Sequence, residues 1–182
     1  MWLRFLATGM IANARVLQED FVPQDVEHRH GEIDRLSAAL EPLLEDEPAE
    51  TPLLVGPTGA GKTCVARYTV ERLRERLLDV RTTYVNCWRN HTRFRTCYEL
   101  LAAVGRTVDI HRQSTPHDTL LARLRERDAR PIVPVLDEVD PLDEPDLLHD
   151  LLEIPHLHPI LIATREPDFL VGLDDRVESR LR

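Results

Sequence analysis

A glycine-rich stretch in the first half of the chain narrows the possible folds more than any other segment. Residues 56–63 read GPTGAGKT and fit the pattern G-x-x-x-x-G-K-S/T at every fixed position. The apolar run at residues 52–55 is typical of a buried strand, and the residues after Thr63 are apolar at helical spacing. The sequence therefore predicts a strand, a tight glycine turn and the start of a helix, in that order.

A strand, a glycine turn and a helix N-terminus together form a site for phosphate groups. Glycines let successive main-chain N–H groups point inward, and the helix end adds donors and partial positive charge. Lys62 is predicted to reach the β- and γ-phosphates of ATP, and Thr63 to ligate Mg²⁺. The alternative is a glycine-rich turn that binds nothing, which the flanking strand and helix disfavour. The predicted phosphate-binding residues are Gly56, Pro57, Thr58, Gly59, Ala60, Gly61, Lys62, Thr63 and Cys64.

Lysine usage supports the phosphate site. Lys62 is the only lysine in a chain that has 23 lysine and arginine residues in total. A compact ammonium group fits between phosphates, where a planar guanidinium fits poorly. The one lysine therefore stands at the position where arginine would be the poorer choice.

The charge balance is strongly acidic. With 32 acidic residues the net charge is −9, which argues against a generally basic surface for nucleic acid. Many arginines together with an acid excess resemble the proteins of salt-accumulating halophiles. A GC-rich genome is the alternative explanation for the arginines, and the acid excess favours a halophile.

Cysteines and histidines show no spacing typical of a metal site. Cys64, Cys87 and Cys97 form no C-x-x-C pair, so we expect reduced thiols in a cytoplasmic protein. The close histidine pairs, at 28 and 30 and at 156 and 158, lack partners at zinc spacing and are expected at the surface. No apolar run is long enough to cross a membrane.

Strands alternate with helices along the chain. This order predicts an α/β fold of the P-loop NTPase type, a three-layer sandwich with a parallel sheet that carries its ligand at the carboxyl ends of the strands. Strands are predicted at 52–55, 80–85, 131–137 and 159–163, and helices at about 30–44, 62–78, 93–104, 116–127 and 146–152. Pro134 is an anomaly, because proline cannot donate a hydrogen bond within a central strand.

The third predicted strand ends in two acids, Asp137 and Glu138. A buried strand that delivers a carboxylate to the metal is the expected companion of a phosphate loop. Asp137 is therefore a second predicted Mg²⁺ ligand beside Thr63. Glu138 follows directly, and a solvated acid at a strand end is one interpretation of it.

From about residue 10 to its end, the chain resembles the AAA+ ATPases of the archaeal origin-recognition and replication-initiator family. The similarity lies in four segments taken in order and spacing. They are Phe21-Val22-Pro23 with His28-Arg29 and Glu32, Tyr84-Val85-Asn86-Cys87 with residues 92–95, the acidic box at residues 135–140, and residues 176–181.

The resemblance implies roles for individual residues. Asp137 would hold Mg²⁺, and Glu138 would orient and activate the attacking water. Arg176, with Arg180 as a further candidate, would reach the γ-phosphate of a neighbouring initiator subunit. The adenine pocket would include Phe21, Val22, His28 and Arg29, and DNA contacts would come from Arg89, Arg93 and Arg95. For both arginine groups a solvated helix face is the alternative.

Two departures from the family pattern bear on activity. Arg165 stands where members of the family carry an asparagine that holds the attacking water, and an arginine cannot accept a hydrogen bond from it. The chain also stops before the family's fifth strand, helical lid and winged-helix domain, so residues 52–55 should form a sheet edge. We expect an extension at 1–19, with Met10 as a candidate start, and an incomplete AAA+ base domain at 20–182.

The leading hypothesis is an ATP-binding initiator module that assembles on DNA according to its nucleotide state. A non-hydrolysing module that modulates a full-length initiator is the first alternative, favoured by Arg165 and the missing lid. A signalling nucleotide switch is the second, and the Asn86-Cys87 segment and the acidic box argue against it.

Overall fold

A computed structural model of the protein describes residues 29–111, 115–126, 130–142 and 146–165. Within them, helices and strands alternate as predicted, and most predicted boundaries are correct to within two residues. The strands are β1 (Leu53–Val55), β2 (Arg81–Asn86), β3 (Ile132–Asp137) and β4 (Ile160–Ala163). The helices are α1 (His30–Leu40), α2 (Lys62–Arg76), α3 (Arg93–Ala103), α4 (His117–Arg125) and α5 (Asp146–Leu152).

The first helix is shorter than predicted. It ends at Leu40 and continues as a 3₁₀ helix over Glu41–Glu45, with Pro42 in its first turn. Because proline has no N–H to donate four residues back, the α-helical pattern cannot run through it. Asp46 then adopts a left-handed conformation with φ of 58° and ends the segment.

The four described strands form one parallel sheet in the order β1-β4-β3-β2. The sheet confirms the predicted α/β class. Among the described strands β1 lies at an edge, with β4 as its one neighbour, which agrees with the expected exposure of the strand before the glycine turn.

Alternate residues of the central strands face two separate cores. Val133 and Val135 of β3 pack with the apolar faces of α1 and α2. Ile132 and Leu136 face the opposite way, toward α3, α4 and α5. Because side chains alternate along a strand, a strand buried on both faces is apolar on both, and β3 follows this rule up to its last residue, the buried Asp137.

Pro134 is accommodated where the ladder between β3 and β4 is interrupted. Main-chain bonds from Ile132 reach residues 156 and 158 on the β4 side, whereas those of Asp137 and Pro131 face β2. Successive residues of a strand bond to opposite neighbours, so the nitrogen of Pro134, two residues after Ile132, faces β4. It lies between the bridge at Ile132 and the first β3–β4 pair at Val135, where the described strands form no β3–β4 pair. The pairing of β2 with β3 therefore does not require an N–H from Pro134.

In the part of the chain that the structure describes, none of the helices combines the length and apolarity that a membrane crossing requires.

His158 corrects the expectation that both histidine pairs lie at the surface. Its residue is 8% exposed, and its main-chain N–H donates to the carbonyl of Ile132. Burial lowers the pKa of the imidazole below its usual 6.5, because a charged ring would lose its hydration. His30 is exposed at the start of α1, as expected.

This burial predicts a loss of stability in acid. Below pH 6.5 the unfolded chain binds a proton at His158 that the folded chain does not, so the free energy of unfolding falls as the pH drops toward the lowered folded-state pKa. Urea titrations give this free energy at pH 7.5 and at pH 5.5. Its difference between the two pH values should be smaller in His158→Gln than in the wild type. His30→Gln is the control and should keep the full difference. An unchanged difference in His158→Gln would contradict the prediction.

Candidate functional site

A cleft of about 360 Å³ opens at the carboxyl ends of the strands. The glycine turn forms one wall, and the ends of β2, β3 and β4 form the other. Its lining residues are Thr58–Cys64, Tyr84, Asn86, Asp137, Glu138, Ile162, Ala163 and Thr164. In an open parallel sheet this is the edge at which ligands bind.

The glycine turn has the backbone that a phosphate loop needs. Gly59 and Gly61 have φ of 81° and 82°, in the left-handed region that other residues adopt only with strain. Lys62 directly follows as the first residue of α2, so the free N–H groups of the helix start face the cleft. The Lys62 ammonium donates to the carbonyl oxygens of Gly56 at 2.6 Å and Pro57 at 3.0 Å.

Arg29 contacts the same turn from the start of the described chain. Its guanidinium donates to the carbonyl of Ala60 at 2.8 Å and pairs with Glu32 at the same distance. The hydrogen bond from Arg29 lowers the pKa of the half-exposed Glu32 carboxyl. Beside these residues lies a larger cavity of about 850 Å³, which extends along α1 and the edge of β1 to the glycine turn.

Thr63 and Asp137 meet across 74 residues of sequence. The Thr63 hydroxyl donates to Asp137 Oδ2 at 2.6 Å. The same oxygen accepts a second hydrogen bond, at 2.8 Å, from the hydroxyl of Tyr84 on β2. Burial and the neighbouring carboxylate raise the pKa of Tyr84 to about 12, so the phenol keeps the proton that it donates.

Glu138 is held in a strained backbone conformation at the end of β3. Its φ of 55° is uncommon for a residue with a side chain and is often found at functional sites. Its carboxylate accepts a hydrogen bond at 3.2 Å from the amide of Asn86, the last residue of β2. The sheet register explains the contact, because Asn86 stands opposite Asp137.

Asp140 ties the acidic box to the segment after β4. Its two carboxylate oxygens accept main-chain N–H bonds from Thr164 at 2.9 Å and Arg165 at 3.2 Å. A cavity of about 330 Å³ beside it is lined by Thr58, Trp88, Glu138, Asp140, Pro141, Thr164 and Arg165. Arg165 therefore borders the same cavity as Glu138.

The side chains at the cleft suit a magnesium nucleotide. A hydroxyl and a carboxylate oxygen, 2.6 Å apart, are the oxygen donors that Mg²⁺ prefers. The positive-φ glycines and the helix start offer main-chain donors to phosphate oxygens. The residues present therefore fit both the metal and the phosphates.

Several predicted residues cannot be placed in this cleft. Phe21, Val22, His28 and Arg176 lie outside the described residues. Cys64, by contrast, lines the cleft; it is partly buried, and burial raises the pKa of its thiol.

The predicted DNA-contacting arginines differ in environment. Arg93 forms an ion pair with Asp150, which also binds Arg125 at 2.7 Å, and only 14% of the Arg93 side chain is exposed. Arg93 therefore serves the packing of α3 against α4 and α5, contrary to the expected surface role. Arg89 and Arg95 remain at the surface after β2, where Arg95 donates to the carbonyl of Arg89 at 3.2 Å.

Sequence reasoning assigned no role to Tyr84, Asn86 or Asp140. Tyr84 and Asn86 lie two residues apart on β2, and Asp140 lies three residues after Asp137. The sequence did show polar residues at the end of the strand that pairs with β3. Only the register of the sheet shows which carboxylate each of them binds.

Comparison with known proteins identifies one matching family and several similar DNA replication proteins. The family described as AAA domain matches residues 46–170. ORC1-type DNA replication protein 9 of Halobacterium salinarum is 52% identical over 180 residues, which cover 99% of this chain and 51% of the relative. ORC1-type DNA replication protein 1 of the same organism is 52% identical over 172 residues, covering 94% of this chain and 56% of the relative.

A solved structure agrees with these relatives. The Aeropyrum pernix ORC1 protein, determined in complex with DNA, is 32% identical and superimposes with a TM-score of 0.74. The match covers 91% of this chain and 46% of that protein. The chain thus spans about half the length of the relatives it matches.

Proposed function

The chain belongs to the AAA domain family and resembles the archaeal ORC1-type replication proteins, and on this premise we propose that it is the ATP-binding module of a replication initiator. The contact between Thr63 and Asp137 carries the proposal. It joins the glycine turn to the acidic end of β3 within hydrogen-bond distance, as a shared metal would require. The relatives are replication proteins, which favours an initiator over a signalling switch.

Binding would use the turn and the start of α2. Main-chain N–H groups of residues 58–63 would hold the phosphates, and Lys62 would exchange its bonds to Gly56 and Pro57 for bonds to the β- and γ-phosphates. Thr63 and Asp137 would hold Mg²⁺, which when bound neutralises charge on the phosphate oxygens. Arg29 lies beside the turn and would contribute to the nucleotide pocket together with Phe21, Val22 and His28.

Hydrolysis would depend on Glu138 and on a partner. Glu138 would accept a proton from the attacking water, and Asn86 would hold its carboxylate in place. Arg176 of one subunit would complete the site of another. An arginine supplied in this way raises the rate of hydrolysis by about 10³–10⁵, so the isolated chain should hydrolyse ATP slowly. Arg165, beside Glu138, would stabilise charge without orienting the water.

DNA and further initiator subunits are the proposed partners. The Aeropyrum pernix relative was solved with DNA, and Arg89 and Arg95 lie at the surface of this chain, next to exposed Trp88. We assign these two arginines to phosphate contacts that position the protein without reading sequence. The domain arrangement, an extension at 1–19 and an AAA+ base domain at 20–182, is part of the same proposal.

Selective labelling of Lys62 tests nucleotide binding. An adenosine polyphosphate that carries a pyridoxal aldehyde at its phosphate end should, after reduction, modify Lys62 in preference to the amino terminus. Excess MgATP should block the reaction, because both ligands occupy the same turn. Lys62→Arg should bind ATP at least about tenfold more weakly, since a guanidinium fits poorly between phosphates. Mass spectrometry and calorimetry give the two readouts.

The control for this labelling is Arg76→Lys, which adds a second lysine at the exposed end of α2. The added lysine should label slowly and without protection by MgATP. Equal labelling of both lysines, or labelling of Lys62 that MgATP does not slow, would contradict nucleotide binding at the turn.

Single-turnover hydrolysis tests the role of Glu138. In the presence of DNA and a full-length ORC1-type protein, Glu138→Gln should lower the rate by about 10²–10⁴, the usual value of a general base, with little change in ATP affinity. Glu75→Gln, at an exposed position of α2, is the control and should leave the rate unchanged. A wild-type protein that binds ATP and never hydrolyses it would instead support the non-hydrolysing module.

Salt-dependent DNA binding tests the arginines after β2. Replacement of Arg89 and Arg95 by alanine should weaken DNA binding equally for all DNA sequences. The slope of log affinity against log salt concentration should fall by about one per lost phosphate contact. Arg76→Ala removes an exposed arginine on another element and should change neither quantity. The same slope in all three proteins would refute a DNA role for this segment.

A further inference from the structure

We propose that Tyr84 is a positioning residue for the metal site, which fixes the Asp137 carboxylate in the orientation that Mg²⁺ requires. The inference rests on the proposed function, since it concerns the same nucleotide. Tyr84 would not touch the nucleotide or the metal itself. It acts through the carboxylate, and three observations support this role.

The first observation is the hydrogen bond. Tyr84 and Thr63 donate to the same oxygen of Asp137, at 2.8 and 2.6 Å. Asp137 is 5% exposed, so water offers it few alternative donors. A carboxylate held twice through one oxygen cannot rotate without losing both bonds. When Thr63 turns its oxygen toward a metal, the bond from Tyr84 remains to hold the carboxylate in place.

The second observation is the ring contact with α2. The guanidinium carbon of Arg67 lies 3.9 Å from the centre of the Tyr84 ring, within the range of a cation–π interaction. Nε of Arg67 is buried and has no hydrogen-bond partner among the described residues. The Arg67 cation therefore rests on the face of the Tyr84 ring, and this contact limits rotation of the phenol.

The third observation is the placement of the three elements. Arg67 follows Thr63 by four residues on α2, so both side chains lie on one face of the helix. Tyr84 stands opposite Val135 on β3, two residues before Asp137. Tyr84 therefore contacts α2 through Arg67 and β3 through Asp137, close to both proposed metal ligands. Partners of this kind orient metal-ligating carboxylates, and their loss typically costs 10–100-fold in metal affinity.

The test compares nucleotide affinity with and without magnesium. The quantity is the ratio of the ADP dissociation constants in EDTA and in Mg²⁺, measured by calorimetry on the whole chain. Tyr84→Phe keeps the ring and loses the hydroxyl, so it should lower this ratio about tenfold. Affinity in EDTA should not change, whereas a general structural defect would weaken binding in both conditions.

Tyr68→Phe is the matched control. Tyr68 lies on α2 and does not line the cleft; an arginine, Arg72, also faces its ring and donates to its hydroxyl. Tyr68→Phe therefore also removes a hydrogen-bonded tyrosine hydroxyl and keeps the ring. Its ratio should equal that of the wild type. In an Asp137→Asn background, Tyr84→Phe should cause no further loss, because a positioning residue acts only through the group it positions.

The outcomes separate this inference from the proposed function. If the wild type binds ADP no better with Mg²⁺ than in EDTA, the proposed metal site is wrong and the inference fails with it. If the wild type gains affinity from Mg²⁺ and Tyr84→Phe gains equally, the inference alone is overturned. Should Tyr84→Phe not fold, Arg67→Gln must lower the same ratio, and an unchanged ratio there overturns the inference.

Discussion

A buried carboxylate holds this site together. Asp137 ends a strand whose residues are all buried, so its side chain has left water and needs hydrogen-bond donors from the protein. Thr63 provides one from the glycine turn, and Tyr84 provides another from the neighbouring strand. The requirement of one buried acid thus draws together the first turn of α2, the end of β2 and the end of β3.

The same few residues that satisfy Asp137 also prepare a place for a charged ligand. Glycines in the left-handed region open the turn, and α2 begins directly behind it. Glu138 follows Asp137 in a strained backbone conformation, with Asn86 on its carboxylate. Asp140 fixes the segment that carries Arg165. Asp137 and Glu138 thus accept bonds from β2, and Asp140 from the segment after β4, so the box joins three strands at their carboxyl ends.

The three arginines that closely follow β2 divide into one that forms a shielded ion pair and two that lie at the surface. Arg93 was expected to face DNA, but its ion pair with Asp150 lies largely out of water, where leaving either partner alone would be costly. Arg89 and Arg95 stay exposed in an otherwise acidic protein. The relatives in Halobacterium salinarum agree with the halophilic composition.

Local pattern was enough to predict the elements, the parallel sheet and the meeting of Thr63 with Asp137, because the glycine turn and the run of apolar residues ending in acids each have few structural solutions. It could not predict that His158 is buried or that Arg93 pairs with Asp150. Nor could it assign Tyr84 and Asn86 to particular carboxylates. Those outcomes depend on which strands lie side by side and in what register, and contacts between residues about 50 apart leave no periodicity in the sequence.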